Sequence, residues 1–567
     1  MLPSNRTSMD INDQSTVVSP NDSPKFKNSG GPSRVESMDL EAAAASASEK
    51  EKRPEEAITT TTSNVEDLDL ERRRSAMREA WPDAELDADP TLAKEALQEE
   101  KDIFLVTFDR DDPLDPKNWG RVYRWYLTFA SSLLVLNASF ASSAPSGMLP
   151  VIMREFHMSQ VEGTLTVSMF ILGYVVGPFI WAPTSETVGR RPMFIIGIFG
   201  YFVFQFACAL SPNAAALLIF RFLGGCFAAC PLTNSGAILG DIWDPETRGT
   251  ATAIFTLSPF AGPAIGPIVG GAIYLKGISW KWLFWILTIF AGLCWLLVIF
   301  TIPETYGPVI LVKKAKALRR STGDERYKAP LELQEARWTK TVGRILGRPW
   351  KIFFQEGMLV IITFYMSFVY GLLYLLFLAY PVVFVVGHHL NALESGLTFL
   401  PLFLGGVVAV VAYIFFFAPR YAKVSAAYNG RAPPEARLPM AKWGGIILGV
   451  SMLWFGWTSY PSISIWSPIV AGLGIGASVV LLFLSLFNYL IDAYLLVAAS
   501  ALASSTVVRS AFGAGFPLFG NQMYEQLNPR IASTVLAAIT FLMVPVPFVL
   551  EKLGPRIRKR SKYGVSD

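Results

Sequence analysis

The chain has 567 residues, of which 52% are hydrophobic and only 17% charged, against about a quarter charged in an average soluble domain. Its net charge of +4 is too small to mark a nucleic-acid partner, and no finger spacing or basic-aromatic patch accompanies it. The apolar residues fall in long blocks after Trp119. Blocks of about 20 such residues cross a hydrocarbon core of about 30 Å as helices, because lipid offers no partners for open backbone, and the alternation of a membrane barrel is absent.

Residues 1–118 are rich in Ser, Thr, Pro, Glu and Lys, cannot bury a core, and are expected to form a disordered cytoplasmic tail. No apolar signal segment opens the chain, so the first crossing helix serves as the insertion signal. Twelve helices are then predicted: 125–146, 163–183, 192–211, 214–240, 250–275, 281–302, 357–384, 395–418, 441–460, 465–489, 495–519 and 531–551. The fold class is therefore an all-α polytopic membrane protein with two six-helix bundles, 119–302 and 357–551, joined by a cytoplasmic linker, 303–356. Residues 552–567 read as a basic cytoplasmic tail. The linker, with Lys313, Lys314, Lys316, Arg319 and Arg320 and then Arg337, Lys340, Arg344 and Arg348, reads as an amphipathic segment on the membrane surface. Positive charge gathers on the same side, which places both termini in the cytoplasm.

The fifth helix is the least ordinary. Pro259, Pro263 and Pro267 recur every four residues, with Gly262, Gly266, Gly270 and Gly271 between them. Such a helix is bent and smooth on one side, suited to close approach by a neighbour and to a moving gate; a static kink is the plainer reading. Cys208, Cys226, Cys230 and Cys294 lie inside apolar blocks and read as packing residues, so neither a disulfide framework nor a metal site is expected.

Two cations fall at depth, Arg221 in the fourth helix and Arg509 in the eleventh, whereas every carboxylate falls near a helix end. Ionisable groups at depth are costly and default to functional candidates; an internal strut bonded to backbone carbonyls is the alternative for Arg221. Asn137, Asn234, Tyr365, Tyr370 and Arg509 are candidates to line a cavity rich in aromatics and poor in charge, with packing or lipid contact as the alternative for each. Such a cavity suits bulky amphipathic molecules better than polycations. No Gly-Lys pair occurs, so no nucleotide-binding phosphate loop is present, and no catalytic motif or cofactor site is expected.

Two six-helix halves joined by a cytoplasmic insert resemble the layout of major facilitator transporters. GPFIWAPTSETVGRRPMFI resembles that superfamily's signature between helices two and three, with Glu186, Gly189, Arg190 and Arg191 as its charged latch. The resemblance extends the latch to Asp241 and to Arg248 of WDPETRG. AGPAIGPIVGG resembles the fifth-helix antiporter signature, and RFLGGCFAACPLTNSGAILGDIW the fourth helix of the same group, in which the arginine (here Arg221) belongs to a proton relay. DPLDPKNW, IPETYGPVILVKKAKALR and AASALASSTVVRSAFGAGFPLF are similar to fungal members, while QLNPRIAST departs from their pattern before the last helix. The resemblance implies a twelve-span fungal drug:proton antiporter, a monomer without cofactors that exports drugs or secondary metabolites from the cell or into the vacuole. A nutrient, organic-acid or polyamine carrier of the same fold is the alternative.

Overall fold

The computed structural model describes residues 103–333, 347, 349–428 and 432–563. The tail expected over 1–102, the linker cations Arg337, Lys340, Arg344 and Arg348, and Arg431 lie outside the described residues.

The first bundle contains α1 (Arg121–Glu155), α2 (Gln160–Val188), α3 (Arg190–Ala209), α4 (Ala214–Ile242), α5 (Thr247–Leu275) and α6 (Lys281–Thr301). Short polar side chains fix the starts. Ser159 and Glu162 form a reciprocal capping box on α2, and the Asn213 carbonyl oxygen of the side chain accepts the Ala216 N–H to open α4. After α6 comes the linker helix α7 (Gly307–Thr322), ended by Gly323 at φ 73°. The second bundle contains α8 (Gly357–Gly387), α9 (Ala392–Ala427), α10 (Pro439–Thr458), α11 (Trp466–Ala493), α12 (Ala498–Met543) and α13 (Pro545–Arg560).

Ten segments among the described residues are long and apolar enough to cross a membrane, against the twelve crossings expected. The difference lies at the C-terminal end. Ser500–Arg560 registers as one 61-residue segment, about 90 Å if straight and so far longer than one crossing needs. Asn528 breaks it, at φ 62° and ψ 151°, just before Pro529. Before the break, Phe516 and Gly520 pack on Gly371 and Leu375 of α8 in parallel order. After it, Ser533, Phe541 and Val544 pack on Gly456, Gly449 and Gly445 of α10 in reverse order. The chain therefore turns back, and with the 20-residue α10 counted, twelve crossings are accommodated.

Small residues let helices meet at backbone distance, and the two halves repeat the device. A methyl added at Gly225 of α4 would fall 2.0 Å from the Phe170 carbonyl oxygen of α2, and one at Gly476 of α11 would fall 1.8 Å from that of Leu402 of α9. Large apolar side chains instead cover the exterior: Phe300 is 78% exposed and Leu542 79%. Apolar surface on this scale belongs in lipid, and the chain is a multi-pass membrane protein.

The segment expected as unstructured tail is ordered from residue 103. Phe104–Leu105 (β1) pairs in parallel with Tyr327–Lys328 (β2), in the register Phe104 to Tyr327. Lys314 of α7 donates to Asp112 at 2.7 Å and to the Thr107 carbonyl at 3.2 Å. The linker is amphipathic as expected, burying Ile310, Leu311, Ala315 and Leu318. The last residues also differ from a free tail. Helix α13 runs to Arg560, and Arg558, 1% exposed, grips Glu435 through two hydrogen bonds of 3.1 and 3.0 Å.

Arg558→Ala strands the Glu435 carboxylate and should cost about 3–5 kcal/mol, read as a lowered midpoint in thermal unfolding of the purified protein; Arg558→Met with Glu435→Leu should recover most of it. A second expectation concerns pH. Arg319 holds the Glu332 carboxyl below its ordinary value of 4.5, so this contact stabilises fully above that value and is lost as pH falls through the lowered one. Hydrogen-exchange protection over 307–332, corrected for the intrinsic slowing of exchange in acid, should fall as pH drops through the lowered value, and Glu332→Gln should remove that part of the acid response.

Candidate functional site

The face of the bundle that carries α7, here the linker face, holds a charge cluster built around one turn. Helix α2 stops at Val188 because Gly189 takes φ 110°, a conformation that side chains disfavour, and α3 begins at the next residue. The first N–H groups of a helix need acceptors. Glu304, just past α6, accepts those of Arg190 at 2.8 Å and Arg191 at 3.2 Å. The Arg190 side chain donates to Asp241 at 3.3 Å and to Ser185 at 2.5 Å, and lies 4.8 Å from the centre of the Tyr306 ring. Burial pushes the Tyr306 phenol up to about 12, so that ring stays neutral beneath the cation. Arg191 donates to the Ile299 carbonyl at 3.0 Å.

Of the latch residues expected from sequence, Gly189, Arg190, Arg191 and Asp241 meet here. Glu186, at the end of α2, stands beside the cluster without a hydrogen bond or ion pair among the described residues; burial pushes its carboxyl up and the nearby Arg190 cation opposes that shift. Arg248 is exposed, its guanidinium lying over Gly240. Glu304 is the acid that sequence reading missed. It stands in IPETYGP, which was assigned to the linker; the open N–H groups of a helix starting Gly-Arg-Arg were the signal that an acceptor had to come from elsewhere.

The second cluster lies at the seam between the bundles. Arg221 is fully buried and donates to three carbonyls: Thr166 at 2.7 Å, Ala141 at 2.9 Å and Ser142 at 3.3 Å. Its guanidinium also lies 4.2 Å from the Phe170 ring centre. The Ser142 hydroxyl, 2.9 Å from that of Tyr374, crosses the seam from α1 to α8. The Tyr370 hydroxyl follows at 3.5 Å from Tyr374, and Arg509 of α12 lies 5.2 Å from the Tyr370 ring and 5.5 Å from that of Phe483.

Two of the expected lining residues lie elsewhere. Asn137 accepts from Tyr201 and donates to the Cys294 sulfur, inside the first bundle. Tyr365 sits against Gly445, inside the second bundle. Each has a partner surface within its own half, which periodicity alone does not distinguish from the seam. Asn234 is buried and donates to Cys230 one turn back on its own helix. Where α5 meets the second half the seam is closed in this conformation. A slot between Phe260 and Pro263 of α5, Phe377 of α8, Leu402 of α9 and Val479 of α11 leaves room for about one water.

Helix α5 explains the closure. Its helical turns restart at Ser258, so Pro259 sits in the first turn, where its missing N–H costs little, and only Pro263 and Pro267 are interior. A methyl at Gly262, Gly266 or Gly270 would fall 2.4 Å from the Phe140 nitrogen, 2.0 Å from the Ser143 hydroxyl or 2.7 Å from the Ala144 carbonyl, all on α1. One at Gly271 would fall 2.3 Å from the Ala392 carbonyl of α9, and one at Gly396 of α9 falls 2.7 Å from the Pro267 carbonyl. The glycine row thus bonds α5 to its own half and seals it to the other at the face distal from the linker.

Gly189→Ala meets both a disallowed backbone angle and Glu304, 2.3 Å from the new methyl. It should cost about 2 kcal/mol or more, whereas Gly236→Ala, with nothing within 4 Å, should be neutral or slightly stabilising. Fluorescence-detected thermal unfolding of the two variants checks the contrast.

The comparisons with known proteins agree with this architecture. The Major Facilitator Superfamily profile matches residues 131–516. The MFS-type efflux pump MFS2 of Trichophyton rubrum is 41% identical over 82% of this chain and 78% of its own. The multidrug transporter mdrA of Aspergillus fumigatus is 39% identical over 82% and 76%. The proton:xylose symporter XylE superposes with a TM-score of 0.56 at 15% identity, over 77% of this chain and 97% of its own, which shows the shared fold. On the match of profile, relatives and twelve-helix geometry, the chain belongs to the major facilitator superfamily of membrane transporters.

Proposed function

We propose that the protein exports small amphipathic molecules, drugs or secondary metabolites, in exchange for protons. The observation that carries this reading is the α5 seal. The proline–glycine helix meets α9 at backbone distance on one face only through small residues, Gly271 and Gly396. Surfaces of this kind separate and re-form without rearranging side chains, as alternating access requires. Relatives of about 40% identity carry the names of efflux and multidrug transporters. A polycation would need acids at the seam, and the clusters described there contain none.

In this reading the linker face is cytoplasmic, in the plasma membrane or that of the vacuole, and the cluster of Arg190, Asp241 and Glu304 is the latch. Its own bonds stay within the first half, so it acts on the two-state equilibrium by shaping the α2–α3 turn that this half presents to the other. Arg221 takes part in coupling through position, since a guanidinium does not release its proton in a protein. It fastens α1 and α2 to α4 beside the residue, Ser142, that touches the other half.

Deleting the gene should sensitise the parent strain to members of a toxin panel, or remove compounds from its secreted metabolites. A protonophore should abolish transport in vesicles from cells expressing the protein. Transport that continues undiminished without a proton gradient rejects the exchange, and unchanged resistance and secretion in the deletion strain reject export.

A further inference from the structure

Two arginines lie at the seam, and the protein treats them differently. Arg221 spends its donors on three backbone carbonyls. Arg509, about 16 Å along α12 from Ala498, spends none: its Nε is enclosed without an acceptor, and the guanidinium rests only on the faces of Tyr370 and Phe483. None of the ion pairs among the described residues includes it. A charge held at this depth without a partner is costly, and the fold has carbonyls enough nearby to answer one, as Arg221 shows.

The neighbouring hydroxyls sharpen the point. Ser142 donates to the Ser139 carbonyl at 2.7 Å. The Tyr374 hydroxyl therefore donates to Ser142, and the Tyr370 hydroxyl to Tyr374. Their hydrogens point along this chain, away from any guest, so of this cluster Arg509 is the member with donors to spare. Around it the surface is aromatic: Tyr370 and Phe483, with Phe260 of the opposite half edge-on to Phe483 at 5.8 Å.

We propose that Arg509 docks the acid group of the transported molecule, so that the substrates are amphipathic organic acids: a carboxylate held by the guanidinium, an aromatic or alkyl body stacked on the surrounding rings. This rests on the exporter reading and narrows it. The same pairing gives a reason for the carrier to close around cargo. An empty seam leaves the half-buried cation with aromatic faces only, whereas a filled one gives it a carboxylate partner.

The test uses the full chain in inside-out vesicles and three probes with one naphthyl body: 2-naphthylacetate, its primary amide, and 2-naphthylethylammonium. At subsaturating concentration the wild type should move the acid about tenfold faster than the amide, the effect of one charge-assisted contact. Arg509→Gln should erase that preference, the acid rate falling about tenfold relative to the amide rate, and Arg509→Lys should keep part of it. A monodisperse gel-filtration peak with a wild-type unfolding midpoint shows that the Gln variant is folded. Equal slowing of all probes in Arg509→Gln, with the protein still monodisperse on gel filtration, assigns Arg509 to structure and overturns the proposal. Wild-type preference for the amide or the ammonium also overturns it, and leaves the exporter reading standing. Movement of none of the three by the wild type sinks this inference, and the deletion strain then decides the exporter reading separately.

Discussion

Hydrocarbon supplies no hydrogen-bond partners, and the whole structure is arranged around that fact. It forces the crossing segments into helices and drives the helices together through glycines rather than through polar side chains. It also sets the terms for each charge that the chain carries. Glu435 and Arg558 answer one another, Glu304 answers the open end of α3, and Arg221 is answered by the backbones of α1 and α2. Arg509 alone, of the groups described above, waits for something that the protein does not provide.

The placement of these pairs divides the molecule mechanically. Arg190 with Asp241 and Arg437 with Asp492 occupy corresponding helix junctions in the two halves, at 3.3 and 2.8 Å. Both stay within a half, as do the other ion pairs of the bundles. Across the seam the contacts are of another kind: glycine on backbone at the distal face, ring on ring at the centre, and, among the described residues, the hydroxyl pair of Ser142 and Tyr374. Such a boundary is weak in directed interactions and strong in shape, so each bundle can move as a body.

Much of this was legible in the sequence because it follows from one-dimensional patterns. Apolar blocks gave the helices, and the loop Gly189-Arg190-Arg191 and the glycine row of α5 stand where their motifs placed them. What was not legible depends on direction around a helix. Asn137 and Tyr365 were assigned to the seam by polarity, yet each faces a neighbour in its own bundle, a matter of tens of degrees of rotation that composition does not encode. Glu304 joined Glu186 at the latch for a related reason. A motif identifies an acid near a latch, but which acid reaches the open N–H groups is decided by where α6 ends, more than a hundred residues away. The final hairpin was recoverable from Asn528-Pro529, the only non-helical point in a segment too long for one crossing.

The strand pair that ties Phe104 to Tyr327 has a consequence for biosynthesis. Its first member leaves the ribosome before any membrane helix, and its second only after α6 and α7 have been made. During the interval the segment that leads into the membrane has no mate. Closure of the pair, together with the grip of Lys314 on Asp112, therefore marks the moment at which the first bundle is complete. The junction acts as a clasp that can be fastened only once the first half is finished.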